Sequence, residues 1–198
     1  FFGIVQVLKN YSTIRHQMQH CKDDILAYAP DVIILIDYPG FNMRIAKFAH
    51  KAGLRVYYYI APKVWAWREY RAKSIRKYVD RLYCIFPFEQ SYFPKWNIEP
   101  YFHGNPLLDA IEQQRTSWSD KRAFAEANGL DNRPIVALLA GSRRSEIRDN
   151  LPNMAALARE FPSHNFVLAG VEWIEREYYD KYLKNSNITF VCNKTYEL

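Results

Sequence analysis

Apolar positions recur along this chain in two rhythms, and the switches between them mark out its elements. Ile14, Met18, Cys21 and Ile25 are spaced by four, three and four residues, the period of one face of an amphipathic helix that must stop near Pro30. "DVIILID", residues 31–37, is apolar nearly throughout and β-branched, as expected of a strand buried on both faces of a parallel sheet. "FNMRIAKFAHKAG" reads as a helix closed by Gly53, and "LRVYYYI" as a second strand whose tyrosines pack between sheet and helices. "REYRAKSIRKYV" then reads as a second helix and "RLYCIF" as a third strand. Strands alternating with helices imply a parallel sheet with helices packed on its faces.

The second half repeats the rhythm. A short helical "PFEQSYF" precedes "EPYFHGNPLLDAI", and polar "EQQRTSWSDKR" reads as a linker into the helix "RAFAEANG". "RPIVALLAGSRRSEIRDNLPNMAALAREF" is a strand, a glycine turn and a helix, and "NFVLAG", "VEWIEREYYDKYL" and "NITFVCN" continue the alternation. The expectation is an α/β chain of two units, 1–115 and 116–198, each incomplete, with their boundary near residues 112–120.

Composition supports a packed globular chain, at 49% hydrophobic and 24% charged residues. Charge sharpens the picture. Of a formal excess of +6, residues 63–81 hold seven cations against two acids, a local excess of +5. That concentration points to an anionic partner (phosphate, anionic lipid or nucleic acid) or else to a solvated helix face. Cys21, Cys84 and Cys192 are odd in number and form no C-x-x-C pair, so neither a disulfide framework nor a cysteine zinc site is suggested, and a reducing compartment fits. No stretch approaches the roughly 20 apolar residues that span a bilayer, and no signal-peptide pattern opens the chain, which reads as soluble or peripheral. It begins "FFGIVQVLKN", without Met, and stops at "VCNKTYEL" just after a strand-like run, so both ends read as cut from a longer protein.

Ligands of open α/β sheets collect at the carboxyl ends of the strands, and that is where the chemistry is sought. Asp37 stands there in "IDYPGFN", placed either to take a proton from a substrate hydroxyl or to cap the next helix and shape the Pro39-Gly40 turn. In "LLAGSRRSEIRDN", Gly141 permits close backbone approach, the helix start offers N–H groups, and Arg143 and Arg144 add charge: an anion site, or an ordinary turn whose arginine pairs with Glu146. The P-loop spacing is missing, and no Asp-x-Asp metal motif occurs. His103 and Asn105 of "FHGNP" follow another strand, while His16 and His20 share a helix face without an accompanying carboxylate motif. Trp65, Trp67 and Arg68 follow the second strand. Aromatics interleaved with cations also describe a single-stranded nucleic-acid platform, although no RNP, KH or zinc-knuckle pattern is present.

Four segments, "PDVIILIDYPGFNMRIAKFAHKAG", "YIAPKVWAWREYRAKSIRKYVDRLYCIFPFE", "HGNPLLDAI" and "LLAGSRRSEI", together resemble the lipid-A-disaccharide synthases in order and spacing over most of residues 1–160. These are glycosyltransferases (family 19) of the GT-B type, with two Rossmann-like domains. "VWAWR" and "GSRxxEI" are the specific parts of the match. The resemblance implies an inverting, metal-independent enzyme that joins UDP-2,3-diacylglucosamine to 2,3-diacylglucosamine 1-phosphate, releasing UDP and forming the tetraacyl disaccharide 1-phosphate. It implies no cofactor, the UDP-sugar being a substrate. Asp37 falls on the aspartate proposed as base for the acceptor's 6-hydroxyl, and Arg143 on a functionally required arginine. Gly141, Ser142, Arg143 and Glu146 become the donor and phosphate set, and Trp65, Trp67, Arg68 and Asn105 the acceptor cleft. Phe1, Phe2 and Val5 become contacts to an anionic membrane surface.

The implied setting is cytoplasmic, peripheral on the inner face of the inner membrane of a Gram-negative bacterium, with no nucleic acid and with a homodimer left open. Many family members have an aspartate where this chain has Gly40, a proline where it has Ala140 and a histidine where it has Asn105. The first departure weakens any scheme with two carboxylates. The family's first strand and glycine-rich loop should precede Phe1, and its uridine- and diphosphate-binding segments should follow Leu198. Two rival readings stand beside this one: another GT-B UDP-sugar transferase, and a nucleic-acid-binding module.

Overall fold

The computed structural model describes residues 11–115, 118, 120–184 and 186–198. The chain forms two compact units, Phe1–Leu108 and Asp109–Leu198. In the first, α1 (Tyr11–Tyr28), β1 (Val32–Ile36), α2 (Pro39–Lys51), β2 (Arg55–Tyr59), the one-turn α3 (Val64–Trp67), α4 (Ala72–Tyr78), β3 (Arg81–Cys84), the one-turn α5 (Glu89–Tyr92) and β4 (Pro100–Phe102) follow in order. The four strands lie side by side in chain order, all parallel.

Register explains the core. Ile33 pairs with Val56, Leu35 with Tyr58 and Tyr58 with Leu82, so these side chains share one face with Cys84. Onto that face α2 sets Ile45, Ala46 and Ala49, α4 sets Ala72 and Ile75, and α1 sets Met18, in one buried cluster. Alanine at three of those positions lets the helices sit close to the sheet, while each large aliphatic chain contributes roughly 1.5–3 kcal/mol by leaving water.

The opposite face corrects an expectation. β1 is not covered on both sides: Ile34 and Ile36 are 60% and 58% exposed, because α1, α2 and α4 all join the cluster beneath. Of the tyrosines of β2 only Tyr58 is buried between sheet and helices, whereas Tyr57 and Tyr59 are half-buried on the uncovered face. There the Arg81 guanidinium lies 5.2 Å from the Tyr57 ring and 5.7 Å from that of Tyr101.

Two element boundaries also differ. The single helix expected over residues 68–79 is a 3₁₀ turn, Glu69–Arg71, followed by α4, because Arg68 departs from helical geometry at φ −136°. The first residues of the expected linker are helical, in α6 (Pro106–Arg115), which starts on a proline at its first position. Asn105 Oδ1 accepts the Leu107 N–H at 3.0 Å, and an Arg115–Glu112 pair at 3.3 Å closes the last turn.

The second unit continues with α7 (Lys121–Ala127), β5 (Ile135–Leu138), α8 (Arg144–Glu160), β6 (Asn165–Gly170), α9 (Arg176–Leu183) and β7 (Ile188–Cys192). Its three strands are parallel, in the order β5-β6-β7. Every residue of β6 is buried, the two-sided burial that a central strand of a parallel sheet requires. Gly170 ends that strand where any Cβ would stand 2.3 Å from the Phe190 ring. Among the described residues no helix is long and apolar enough to cross a membrane.

Candidate active site

Asp37 leaves β1 with φ 45° and Tyr38 follows with φ 44°, both in the left-handed region. Two such residues in succession, with Ile60 (φ 62°) at the end of the neighbouring strand, put the strain of this sheet at its carboxyl edge. The sheet and α2 hold the turn in place. The Asp37 N–H donates to Tyr59 O at 3.0 Å, extending the β1–β2 ladder by one residue. The Asp37 carbonyl accepts the Tyr58 hydroxyl at 2.5 Å and Asn42 Nδ2 at 2.8 Å. Burial, and after it the charge of Asp37, pushes the Tyr58 phenol well above its usual range, so it stays a donor.

These bonds all engage the backbone of Asp37. Its side chain is exposed and, among the described residues, makes no hydrogen bond or ion pair. Nor does it cap α2: the N-cap is Tyr38, whose carbonyl accepts the N–H groups of Phe41 and Asn42 at 3.2 and 3.1 Å. The backbone of this turn is therefore fixed while its carboxylate stays open to contact from outside.

Beside it opens a pocket of about 600 Å³. Ile14, Phe41 and Met43 are among its apolar lining residues, and Arg44, Arg68 and Arg71 are its cationic ones. No carboxylate pairs with these arginines among the described residues, since Glu69, the acid between Arg68 and Arg71, is taken by Lys95 at 2.7 Å. Arg68 and Arg71 instead lie over Trp67, at 4.0 and 5.9 Å from the ring. Such a pocket suits an amphiphile with an anionic group.

Trp65 is placed differently. It lies on α3, a helical turn rather than an open loop, and turns toward Phe88, whose ring meets it edge-on at 4.9 Å. Its Nε1 donates at 3.1 Å to Glu89, a fully buried carboxylate that also accepts the N–H groups of Ile85 and Phe86 at 3.2 and 3.1 Å. Glu89 thus ties the Trp65 turn to the end of β3. Burial, then the Glu89 charge, pushes the Cys84 thiol up to about 12. Of the sequence-derived cleft residues, then, Arg68 lines the pocket and Trp67 stacks on it. Trp65 packs on Phe88 and Glu89 while staying partly exposed, and Asn105 caps α6.

In the second unit the turn after β5 carries the other set. Gly141 has φ 111°, and a Cβ there would stand 2.5 Å from Glu146 Cβ, so only glycine fits. The Glu146 carboxylate folds back onto the start of α8, accepting the N–H groups of Ser142 and Arg143 at 2.9 and 3.2 Å and pairing with the Arg143 guanidinium. These bonds, that from Ser142 foremost, hold its carboxyl below the usual carboxylate range. The donors that can cradle a phosphate are therefore occupied by an internal anion, for which a ligand must compete. Trp173 Nε1 donates to Ser142 O at 3.0 Å and Asn150 Nδ2 to Ala140 O at 3.1 Å, fixing the turn from both sides. Arg144 points elsewhere, paired with Glu175 and set over Tyr178.

A family model for lipid-A-disaccharide synthetase matches residues 1–195. The chain belongs to that family. Among curated lipid-A-disaccharide synthases, that of Coxiella burnetii is 39% identical over 170 residues, 84% of this chain and 44% of the relative. That of Geobacter metallireducens is 43% identical over 171 residues, again 84% and 44%. Lipid-A-disaccharide synthase 1 of Legionella pneumophila is 34% identical over 193 residues, 94% and 49%. The chain spans about half the length of these relatives.

Solved structures agree on the fold. The UDP-GlcNAc 2-epimerase of Neisseria meningitidis, solved with UDP-GlcNAc, aligns over 93% of this chain and 55% of its own at a TM-score of 0.61 and 15% identity. That of Methanocaldococcus jannaschii aligns over 90% and 55% at 0.56 and 16%. The fold of this lipid-A-disaccharide synthetase family member is GT-B, with two incomplete parallel sheets. Phe1, Phe2 and Val5, expected from sequence to contact a membrane, lie outside the described residues. Asn42, Arg44, Tyr58 and Arg71 gather around the Asp37 turn, and Glu89 around the end of β3, without having been singled out by sequence. Arg71, inside the basic run, had a signal.

Proposed function

We propose that the full-length protein transfers the diacylglucosamine of UDP-2,3-diacylglucosamine to the 6-hydroxyl of 2,3-diacylglucosamine 1-phosphate, with inversion and without a metal. The observation that carries this reading is the unpartnered Asp37 carboxylate on its strained turn beside a pocket lined by both apolar side chains and three arginines. Family membership supplies the substrate class. In the proposed step the acceptor hydroxyl gives its proton to Asp37 as its oxygen bonds to the anomeric carbon. The bond from that carbon to the UDP oxygen breaks on the opposite face, and the electron pair leaves with UDP. Arg143 and the N–H groups of Ser142 and Arg143 offset the charge gathering on the departing diphosphate, taking the place that Glu146 holds in its absence. Arg44, Arg68 and Arg71 suit the acceptor's 1-phosphate, with Ile14, Phe41 and Met43 against an acyl chain. The basic run supports work at an anionic membrane surface.

Steady-state kinetics of two variants of the full-length protein test the assignment. Asp37→Asn should lower kcat by roughly 10²–10⁴-fold with an unchanged thermal transition, and Arg143→Ala should raise the donor KM. Wild-type turnover by Asp37→Asn would sink the base, and unchanged donor kinetics in Arg143→Ala would remove the arginine from donor handling.

A further inference from the structure

α4 and the residue before it present cations to two sides. Arg71, just before it, and Ser74 line the pocket beside Asp37, whereas Lys73, Arg76 and Lys77, at i, i+3 and i+4, share the other side. With Lys95, Trp96 and Asn97 they line a second pocket of about 620 Å³ within the first unit. Like charges at this spacing repel, and of the nearby acids one is bonded to the backbone while the other neutralises Lys95, itself a lining residue of this pocket. Asp80 accepts the Val56 N–H at 2.7 Å, and Glu69 is paired with Lys95 at 2.7 Å. No ion pair engages Lys73, Arg76 or Lys77 among the described residues.

A solvated helix face presents its cations on a convex surface. Here they line a shallow, open groove beside a half-buried tryptophan, with room for a small ligand or a headgroup. A nucleic-acid strand needs successive exposed aromatics on which to stack, and this pocket has one indole.

We propose that this second pocket is a binding site for a phosphate-bearing headgroup, separate from the Asp37 pocket. Guanidinium and ammonium groups from one helix face provide the charge, and the Trp96 wall limits how large the group can be. The proposal stands on this pocket alone and does not depend on the reaction assigned above.

Vesicle co-sedimentation with the full-length protein tests it, using phosphatidylcholine alone and phosphatidylcholine mixed with an equal amount of phosphatidylglycerol. Arg76→Glu combined with Lys77→Glu should weaken the added affinity for the mixed vesicles at least about 10-fold. The control, Lys121→Glu with Arg122→Glu, makes the same change in net charge in the other unit and should retain that affinity. Calorimetric titration with glycerol phosphate assigns the source. Binding that the pocket variant loses marks a site open to free phosphate esters, whereas no titration beside intact vesicle binding marks a lipid headgroup, and either result supports the site. Equal loss in both double variants, absence of both vesicle and glycerol phosphate binding, or tighter pocket-dependent binding of a single-stranded RNA than of vesicles would overturn it.

Discussion

Asp37 and Tyr38 each keep a backbone conformation that costs about 1–3 kcal/mol, and Tyr58 and Asn42 are the side chains that hold it through the Asp37 carbonyl. Tyr58→Phe keeps the buried ring and removes only the hydroxyl. It should cost about 0.5–1.5 kcal/mol of stability and, by loosening the turn, lower kcat roughly 10-fold at unchanged acceptor KM. A kcat equal to wild type, measured beside the unfolding midpoint, would show that the hydroxyl does not position Asp37. Asp37 itself was legible because a carboxylate directly after a β-branched apolar run can hardly lie anywhere but at a strand's carboxyl end. Tyr58 and Asn42 were not, since their part depends on the β1–β2 register and on the first turn of α2, which no local pattern states. Gly141 was legible as a close-approach glycine. What approaches it, the Glu146 side chain, was visible only as a pairing alternative.

At the scale of elements the alternation of periods gave the order of most strands and helices, α3 and α6 excepted, because β-branched runs and three-four spacings differ sharply. Boundaries and faces were less legible. An apolar strand reads as covered on both sides, but the covering depends on which face each helix chooses, and α1, α2 and α4 chose the same one. The Trp65 turn illustrates a related difficulty. In "FPFE", Glu89 looks like a first-turn surface acid, yet it is fully buried and receives three N–H groups, from Trp65, Ile85 and Phe86. Glu89→Ala leaves those partly buried donors without their acceptor and should cost about 1–3 kcal/mol. Glu89→Gln keeps an acceptor oxygen and should cost less. Urea unfolding followed by tryptophan fluorescence checks the order, and equal midpoints for wild type and Glu89→Ala would contradict it.

For the whole molecule, composition and alternation were enough to state α/β, and the motif order was enough to state the family. Each unit carries one half of the proposed chemistry: a strained, unpartnered carboxylate in the first, and in the second a helix start whose amides already hold an anion. The central claim is that these halves serve sugar transfer between two acylated glucosamine substrates, and UDP release by the full-length protein tests it most directly. The account predicts UDP release only when UDP-2,3-diacylglucosamine and 2,3-diacylglucosamine 1-phosphate are both present, with one disaccharide formed for each UDP. UDP released at the same rate from the donor alone, or no release with both substrates present, would contradict it.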